Sequence, residues 1–401
     1  MGVQATLSRP ISTVDPFSHG FLGDPYPHHE ALREAGPVVW LEKYGVWAMA
    51  RHDQVREALT DWETYCSSAG VGLSDFRKEP PWWPPSIILE ADPPLHTRTR
   101  AVLTRLLWPN AIKALRETFE READRLIEKL VARREFDGIA DLAEAYPLKV
   151  FPDAVGIPEE GRENLLRYGS MVFNSFGPHN DLLREAMTHA GPVRDWIMSK
   201  CNRAALAPRG LGMQIFDAVD GGELSEDEAG MLVRSFLSAG IDTTVYGLGN
   251  ALYCLARYPD QWQTLRREPN LIRNAFEEVL RFEAPVQTFF RTTTRAIEVG
   301  GVQLGEGEKV LLFLAAANRD PRRWERSDVF DISRRAAGHM TFGTGVHGCV
   351  GQSVARLETE AILAALAKRV ESFELIAEPR RRLNNTLRGF DTLPLRITAL
   401  S

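Results

Sequence analysis

The chain reads as mainly α with small peripheral β-sheets. Helical periodicity runs from about 109 to 256 and returns from 354 to 370, whereas runs with strand character are short and confined to 38–49 and 299–314. No internal repeat, low-complexity tract or linker divides the 401 residues, so one domain over 1–401 is expected. With 44% hydrophobic and 25% charged residues the chain can build a sizeable core, and no part has the composition of a disordered tail.

Taken in order, the first twenty-five residues, rich in Pro, Ser and Gly, read as an irregular arm. Val38-Val39-Trp40-Leu41 and Val46-Trp47-Ala48-Met49 read as two strands about a turn. Residues 66–95 hold many Gly, Pro and Trp, and residues 315–345 many Arg and Asp; long irregular stretches in a compact chain are usually functional, so both are expected near a site. Between them, Leu224-Ser225-Glu226-Asp227-Glu228 offers a Ser N-cap with Glu three positions on, a capping box that opens a long helix expected to run to about Arg257.

A net charge of −6 argues against general affinity for nucleic acid, although local basic patches remain possible. Cys66, Cys201, Cys254 and Cys349 lie far apart without a CxxC pair, which fits neither a disulfide scaffold nor a zinc knuckle and suits a reducing cytoplasm. No basic region precedes an apolar run at the N-terminus, and no uncharged stretch reaches the roughly 18 residues that span a bilayer. A cytoplasmic protein with no membrane segment is expected. Residues 1–6 fit the loose myristoylation pattern, but no polybasic stretch follows and a single acyl chain anchors weakly, so lipidation is not expected.

The most informative segment is Phe342-Gly343-Thr344-Gly345-Val346-His347-Gly348-Cys349-Val350-Gly351, followed by a helix beginning near Gln352. Its glycines permit positive φ and close approach of backbone to a flat ligand. Cys349 sits just before a helix, where unpaired N–H groups favour a thiolate. Residues 343–348 also fit GxGxxG, but that fingerprint needs a strand before it and an acidic strand end about twenty residues later. Here Arg334-Arg335-Ala336-Ala337-Gly338-His339 precedes it and the helix runs on to Lys368-Arg369, so the nucleotide reading fails. A structural cysteine in a glycine-rich turn is the reading for a lone Cys, and the ten-residue pattern outweighs it.

The segment resembles the haem-binding loop of the cytochrome P450 superfamily. The resemblance implies that fold, with haem b between a long oxygen-side helix and the cysteine-loop helix, Cys349 as the axial iron ligand, and Phe342, Gly343 and Gly351 against the macrocycle. O2 would be the cosubstrate; thiolate ligation donates electron density that favours O–O cleavage. Ala239-Gly240-Ile241-Asp242-Thr243-Thr244 is a poor helix interior by propensity and, alone, could be a polar kink in a core helix. It resembles the family's acid–alcohol pair: Gly240 would leave room above the iron, while Asp242 and Thr243 would relay protons. His96, Arg100, Arg291 and His347 match positions that hold the haem propionates. Glu278, Arg281 and Arg334 resemble the family's buried Glu–Arg–Arg cluster and are assigned a structural role.

Across its length the chain is most similar to bacterial members that oxidise para-substituted benzoic acids. That similarity implies hydroxylation or O-demethylation of a small aromatic acid such as 4-methoxybenzoate. Ser86, Ser235 and Ser238, with Arg234, would hold the carboxylate, and Phe173, Phe176, Phe289 and Phe290 would supply an apolar slot bordered by the turn at 387–390. Phenylalanines are as often plain core. Where the pattern carries a basic residue this chain reads Pro81-Trp82-Trp83-Pro84, with Arg77 and Lys78 the candidates to compensate. With no flavin or iron–sulfur motif in the sequence, electrons are expected from another protein; the resemblance implies a ferredoxin and its NAD(P)H-dependent reductase, docking on a patch of Arg98, Arg105, Lys113 and Arg356. Two other functions stay open: a cytochrome P450 acting on another small apolar substrate, and a thiolate-haem sensor, against which the acid–alcohol pair argues.

Overall fold

A computed structural model describes residues 9–400; residues 1–6, with the acylation pattern, lie outside them. Eight of the helices position the site: Leu95–Leu106 (α1), Pro109–Arg133 (α2), Glu163–Ser175 (α3), Ala190–Lys200 (α4), Glu226–Ala239 (α5), Asp242–Arg257 (α6), Ile272–Phe282 (α7) and Gln352–Ala367 (α8). α2 opens on Pro109, whose missing N–H would have no partner in the first turn anyway. Its buried stripe of Ile112, Phe119, Ala123, Ile127 and Leu130 packs along α8. α6 is buried on every side, from Val245 and Leu248 to Leu252 and Leu255, as suits a helix of apolar and small residues at the centre of the molecule. A Cβ on Gly249 would stand 2.7 Å from the Ile139 side chain, so glycine is what lets that neighbour approach.

The capping box at Ser225 forms: Glu228 N–H donates to the Ser225 hydroxyl, and Ser225 N–H donates to the Glu228 carboxylate at 2.9 Å. The single helix expected to run on to Arg257 is instead two, α5 and α6, parted at Gly240-Ile241. The physical reason is local competition for carbonyls. Thr243 Oγ1 donates to Ala239 O at 2.7 Å and Thr244 Oγ1 to Gly240 O at 3.3 Å, taking acceptors the backbone ladder would otherwise use.

Strands Ile11–Ser12 (β1), Val39–Leu41 (β2), Val46–Met49 (β3), Tyr65–Cys66 (β4), Thr288–Thr293 (β5) and Lys309–Phe313 (β6) form one sheet in the order β1-β2-β3-β6-β5-β4. Antiparallel register sets Phe289 opposite Leu312 and Arg291 opposite Val310. The side-chain period of two puts Phe289 and Arg291 on the face that borders the site. Phe290 points to the opposite face, into a core cluster with Phe21 and Phe313, and is not part of the slot. The arm is less irregular than its composition implies, since β1 pairs with β2 and His19–Gly23 is helical. The irregular stretch from 315 begins within a helix, Leu314–Asn318, and the last helix stops at Ala367, before strand Val370–Leu375. Among the described residues no helix is long and apolar enough to cross a membrane.

Candidate active site

Gly343 and Gly345 have φ of +64° and +68°, which folds the cysteine loop back on itself; a Cβ on Gly345 would stand 2.7 Å from Leu59 O. Cys349 N–H donates to Phe342 O at 2.7 Å, fixing thiol and ring relative to each other. Phe342, Gly343, Cys349 and Gly351 line one wall of a cavity of about 770 Å³, and Ala239, Gly240 and Thr243 line it too. Burial pushes the Cys349 thiol up, opposed by N–H groups of Gly351 and Gln352 and by the guanidinium groups of Arg100 and Arg356. The N–H groups at the helix start favour the thiolate, as expected from its position, but do not outweigh burial; coordination to a metal would.

Around the same loop the donors converge. Arg100, Arg291 and His347 line the cavity, and the His96 ring lies tilted against His347, centroids 4.3 Å apart. Both ring nitrogens of His96 are buried without a hydrogen-bond partner, and Nε2 of His347 has only Asp92 Oδ1, 3.7 Å away. Burial, then His347 and Arg100, hold His96 down at about 4, and burial pushes Arg291 down to about 10. Buried donors that lack acceptors, beside two guanidinium groups, are the complement of a ligand with paired carboxylates. Haem carries two such groups, so the donor set fits it.

Thr243 lines the cavity but its neighbour Asp242 does not: Asp242 is 4% exposed at the start of α6, and burial pushes its carboxyl up to about 8, with Arg382 opposing and Glu144 adding to the rise. It packs against α3, where a Cβ on Gly169 would stand 2.4 Å from Asp242 Oδ2. Gly240 borders the cavity, but the Phe151 ring lies 2.3 Å from where its Cβ would be, so glycine there also admits that ring. Sequence reading passed over Glu358 on α8, whose two carboxyl oxygens are buried without partners and whose carboxyl is held far up by burial. Its signal was a lone acid among Val354, Leu357, Ala361 and Ile362.

Farther from Cys349 the cavity meets Ser86, Arg234, Ser235 and Ser238. Ser86 Oγ and Ser235 Oγ are 3.3 Å apart, while Arg234 Nη2 donates to Pro84 O at 2.7 Å. Ser238 Oγ donates to Ser235 O within its own helix. Phe173, Phe176 and Phe289 form the apolar wall, with successive ring centroids 5.8 Å apart. The turn at 387–390 does not line the cavity itself, but Leu387 packs in the same core cluster as Phe173, Phe176 and Phe289, while Arg388 donates to Leu22 O and Gly23 O and Phe390 lies against Tyr253. Arg77 and Lys78 are both spent on Asp75, at 2.7 and 3.4 Å, and do not compensate for Trp83.

Away from the cavity, Arg281 donates twice to Glu278, at 2.7 and 2.8 Å, and Arg334 Nε once at 3.2 Å. Arg281 also ties Asn318 O and Ser327 O to α7, so the three residues fasten the segment before the cysteine loop. The expected docking patch is largely neutralised. Arg98 pairs with Glu228, Arg105 with Glu223 at 2.6 Å and Arg356 with Glu277, leaving Lys113 outside any ion pair among the described residues. A different concavity lies over the outer side of the cysteine loop, where Arg56 and Arg323 are exposed and outside any ion pair among the described residues.

A thiol on a glycine-bounded loop, with buried donors suited to paired carboxylates beside it, has the chemistry of a haem-thiolate site. The cytochrome P450 family model matches residues 194–398, and the chain belongs to that family. It is 57% identical over 386 residues to cytochrome P450 CYP199A2 of Rhodopseudomonas palustris, covering 96% of this chain and 94% of the relative. It is 31% identical to the beta-dihydromenaquinone-9 omega-hydroxylase of Mycobacterium tuberculosis, over 97% of this chain and 79% of that one. Among solved structures, cytochrome P450 CREJ in complex with (4-ethylphenyl) dihydrogen phosphate is similar at TM-score 0.84 and 27% identity, over 96% of this chain and 99% of that one. The chain is accordingly a monooxygenase with haem b as cofactor and O2 as cosubstrate, served by a redox partner protein and acting on a small molecule.

Proposed function

We propose that this monooxygenase hydroxylates or O-demethylates a small para-substituted benzoate such as 4-methoxybenzoate. The observation that carries the reading is the pairing of Ser86 and Ser235 hydroxyls at 3.3 Å, beside Arg234, at one end of a cavity otherwise walled by Phe173, Phe176 and Phe289. Hydroxyls and a guanidinium can donate to a carboxylate, each charge-assisted bond contributing about 1.5–3 kcal/mol. The phenylalanines hold the ring with its para group toward Cys349. The CREJ structure supports the same division, since its ligand is a para-alkylphenyl ring with an anionic end.

Haem would be held by the Cys349 thiolate, with Phe342, Gly343 and Gly351 beside it and His96, Arg100, Arg291 and His347 available to its propionates. Bound there, haem supplies activation of O2 and insertion of one oxygen atom into a substrate C–H bond. Asp242 holds a proton at neutral pH because burial raises its carboxyl. Thr243, next in sequence to that acid, lines the cavity with its hydroxyl on Ala239 O and would pass the proton on toward the reaction space. Oxidation of a para-methoxy carbon gives a hemiacetal that releases formaldehyde and leaves 4-hydroxybenzoate. Electrons come from a cytoplasmic ferredoxin and its NAD(P)H-dependent reductase, and Arg56 and Arg323 over the cysteine loop supply the cationic docking contacts.

Spin-state titration of the haem-loaded protein tests the assignment. 4-Methoxybenzoate should bind at least about tenfold more tightly than 4-methoxybenzamide, with one formaldehyde formed per acid consumed in turnover with a ferredoxin system. Equal affinity for acid and amide would sink the carboxylate reading.

A further inference from the structure

Two cations share one indole at the solvent end of the cavity. Arg194 of α4 places its guanidinium carbon 4.5 Å from the centroid of the Trp83 ring, and Arg234 of α5 places its own 5.6 Å from the same ring. Trp83 is 8% exposed and also packs against Tyr168 at 5.8 Å. Arg194, by contrast, is exposed while lining the cavity, which sets it at the entrance. Among the described residues neither guanidinium is in an ion pair; Arg234 spends Nη2 on Pro84 O and Pro85 O. The acids that line the cavity are Glu79 and Glu90. Glu90 accepts from Ser86 N–H at 2.8 Å, and burial raises its carboxyl.

A guanidinium attracted to an aromatic ring uses its face or carbon end for that contact and keeps N–H donors for a second partner. The ring therefore orders a flexible side chain without consuming its hydrogen bonds. Two positive groups drawn to one ring repel each other, and an anion lying between them relieves that repulsion. Ser86 and Ser235 stand next to this pair, on the segment and helix that carry Trp83 and Arg234.

We propose that Arg194, seated on the Trp83 indole, is the specificity-determining cation that admits and retains carboxylate substrates at the entrance of the cavity. The proposal rests on the benzoate reading and adds a residue that acts beyond the serine pair. A cation on α4 and a ring in the 66–95 stretch also tie two separate parts of the chain across the entrance, so the contact that selects the acid is one the substrate must pass.

The test is spin-state titration of wild-type, Arg194→Gln, Arg194→Lys and Trp83→Phe haem-loaded proteins with 4-methoxybenzoate and 4-methoxybenzamide at low and high salt. Arg194→Gln should weaken the acid about tenfold and the amide less than about twofold, the loss shrinking at high salt because Arg194 is exposed. Arg194→Lys should restore part of the preference, and Trp83→Phe, which keeps a weaker ring in place, should fall between Gln and wild type. Equal weakening of acid and amide would make the contact a packing clamp and overturn the proposal, as would an unchanged acid affinity in Arg194→Gln. Wild-type protein that binds acid and amide alike would instead overturn the benzoate reading itself, whereas failure of Arg194 alone leaves the wild-type preference intact.

Discussion

Replacing Asp242 by Asn should make the protein more stable and the enzyme worse. The carboxyl ordinarily titrates at 3.8, and in the folded chain burial raises it to about 8. Below 3.8 both folded and unfolded states hold the proton, so the site has no effect on stability. Between 3.8 and about 8 the unfolded chain has released the proton and the folded chain has not, so stability falls as pH rises, by about 1.36 kcal/mol per pH unit. Over pH 5 to 8 that amounts to about 4 kcal/mol, which Asp242→Asn would abolish because an amide does not titrate. With about 2.1 cal/mol/K of unfolding entropy per residue, 401 residues give roughly 0.8 kcal/mol per kelvin, so the melting temperature of the variant should exceed wild type by a margin that grows by about 5 °C across this range. The assay is thermal melting of haem-loaded wild type and variant at half-unit pH steps, together with product formed per electron pair consumed. Substrate affinity should be unchanged while turnover falls by about a hundredfold, the loss of one positioned proton donor. Parallel pH profiles of melting temperature in the two proteins would refute the buried, protonated acid on which the proposed relay depends.

The same acid is tested from outside by Gly169→Ala. A Cβ would stand 2.4 Å from Asp242 Oδ2, so the carboxyl must move; turnover should fall with little change in substrate affinity, and wild-type turnover would show that its placement is immaterial. Glu278→Ala strands the fully buried Arg281 and should lower stability by about 3–5 kcal/mol in denaturant titration; a loss under about 1 kcal/mol would contradict the fastening role. Arg56→Glu with Arg323→Glu should slow reduction by the ferredoxin several-fold at low salt and less at high salt, whereas Arg98→Glu with Arg105→Glu should have the smaller effect because those two already pair with Glu228 and Glu223. The reverse ranking in stopped-flow reduction would return the docking surface to the first-expected patch.

Much of the framework is legible in the sequence because it rests on local chemistry. Ser225 and Glu228 cap a helix within four residues, Pro109 begins one, and the spacing from Phe342 to Gly351 describes a loop whose positive-φ glycines the structure shows at Gly343 and Gly345. What is not legible is set by partners distant in the chain. The break at Gly240-Ile241 is announced by poor propensity, yet its location depends on which carbonyls the Thr243 and Thr244 hydroxyls capture. That Gly240 admits the Phe151 ring, or that Arg98 and Arg105 are already paired, follows from contacts across roughly a hundred residues that no local pattern encodes. Phe289 and Phe290 show the limit most sharply, being adjacent and chemically identical; one enters the site and the other the core because the β5–β6 register turns alternate residues to opposite faces.

The distinction bears on how such a chain acquires its substrate. The cysteine loop and the acid at the start of α6 each sit within a short run, so their chemistry travels with a motif. The proposed acid-binding end is assembled differently, from Ser86 and Trp83 on one irregular stretch, Arg234 and Ser235 on α5, and Arg194 on α4. No pair of these elements is adjacent in sequence, and the guanidinium positions are held by an indole and by the carbonyls of Pro84 and Pro85 rather than by carboxylates. A single substitution at Trp83 can therefore redirect two cations at once while the oxidising centre is untouched. Selectivity should change by mutation at the entrance without change in the proton-relay pH profile, and that separation is what makes the Arg194 and Asp242 experiments independent of each other.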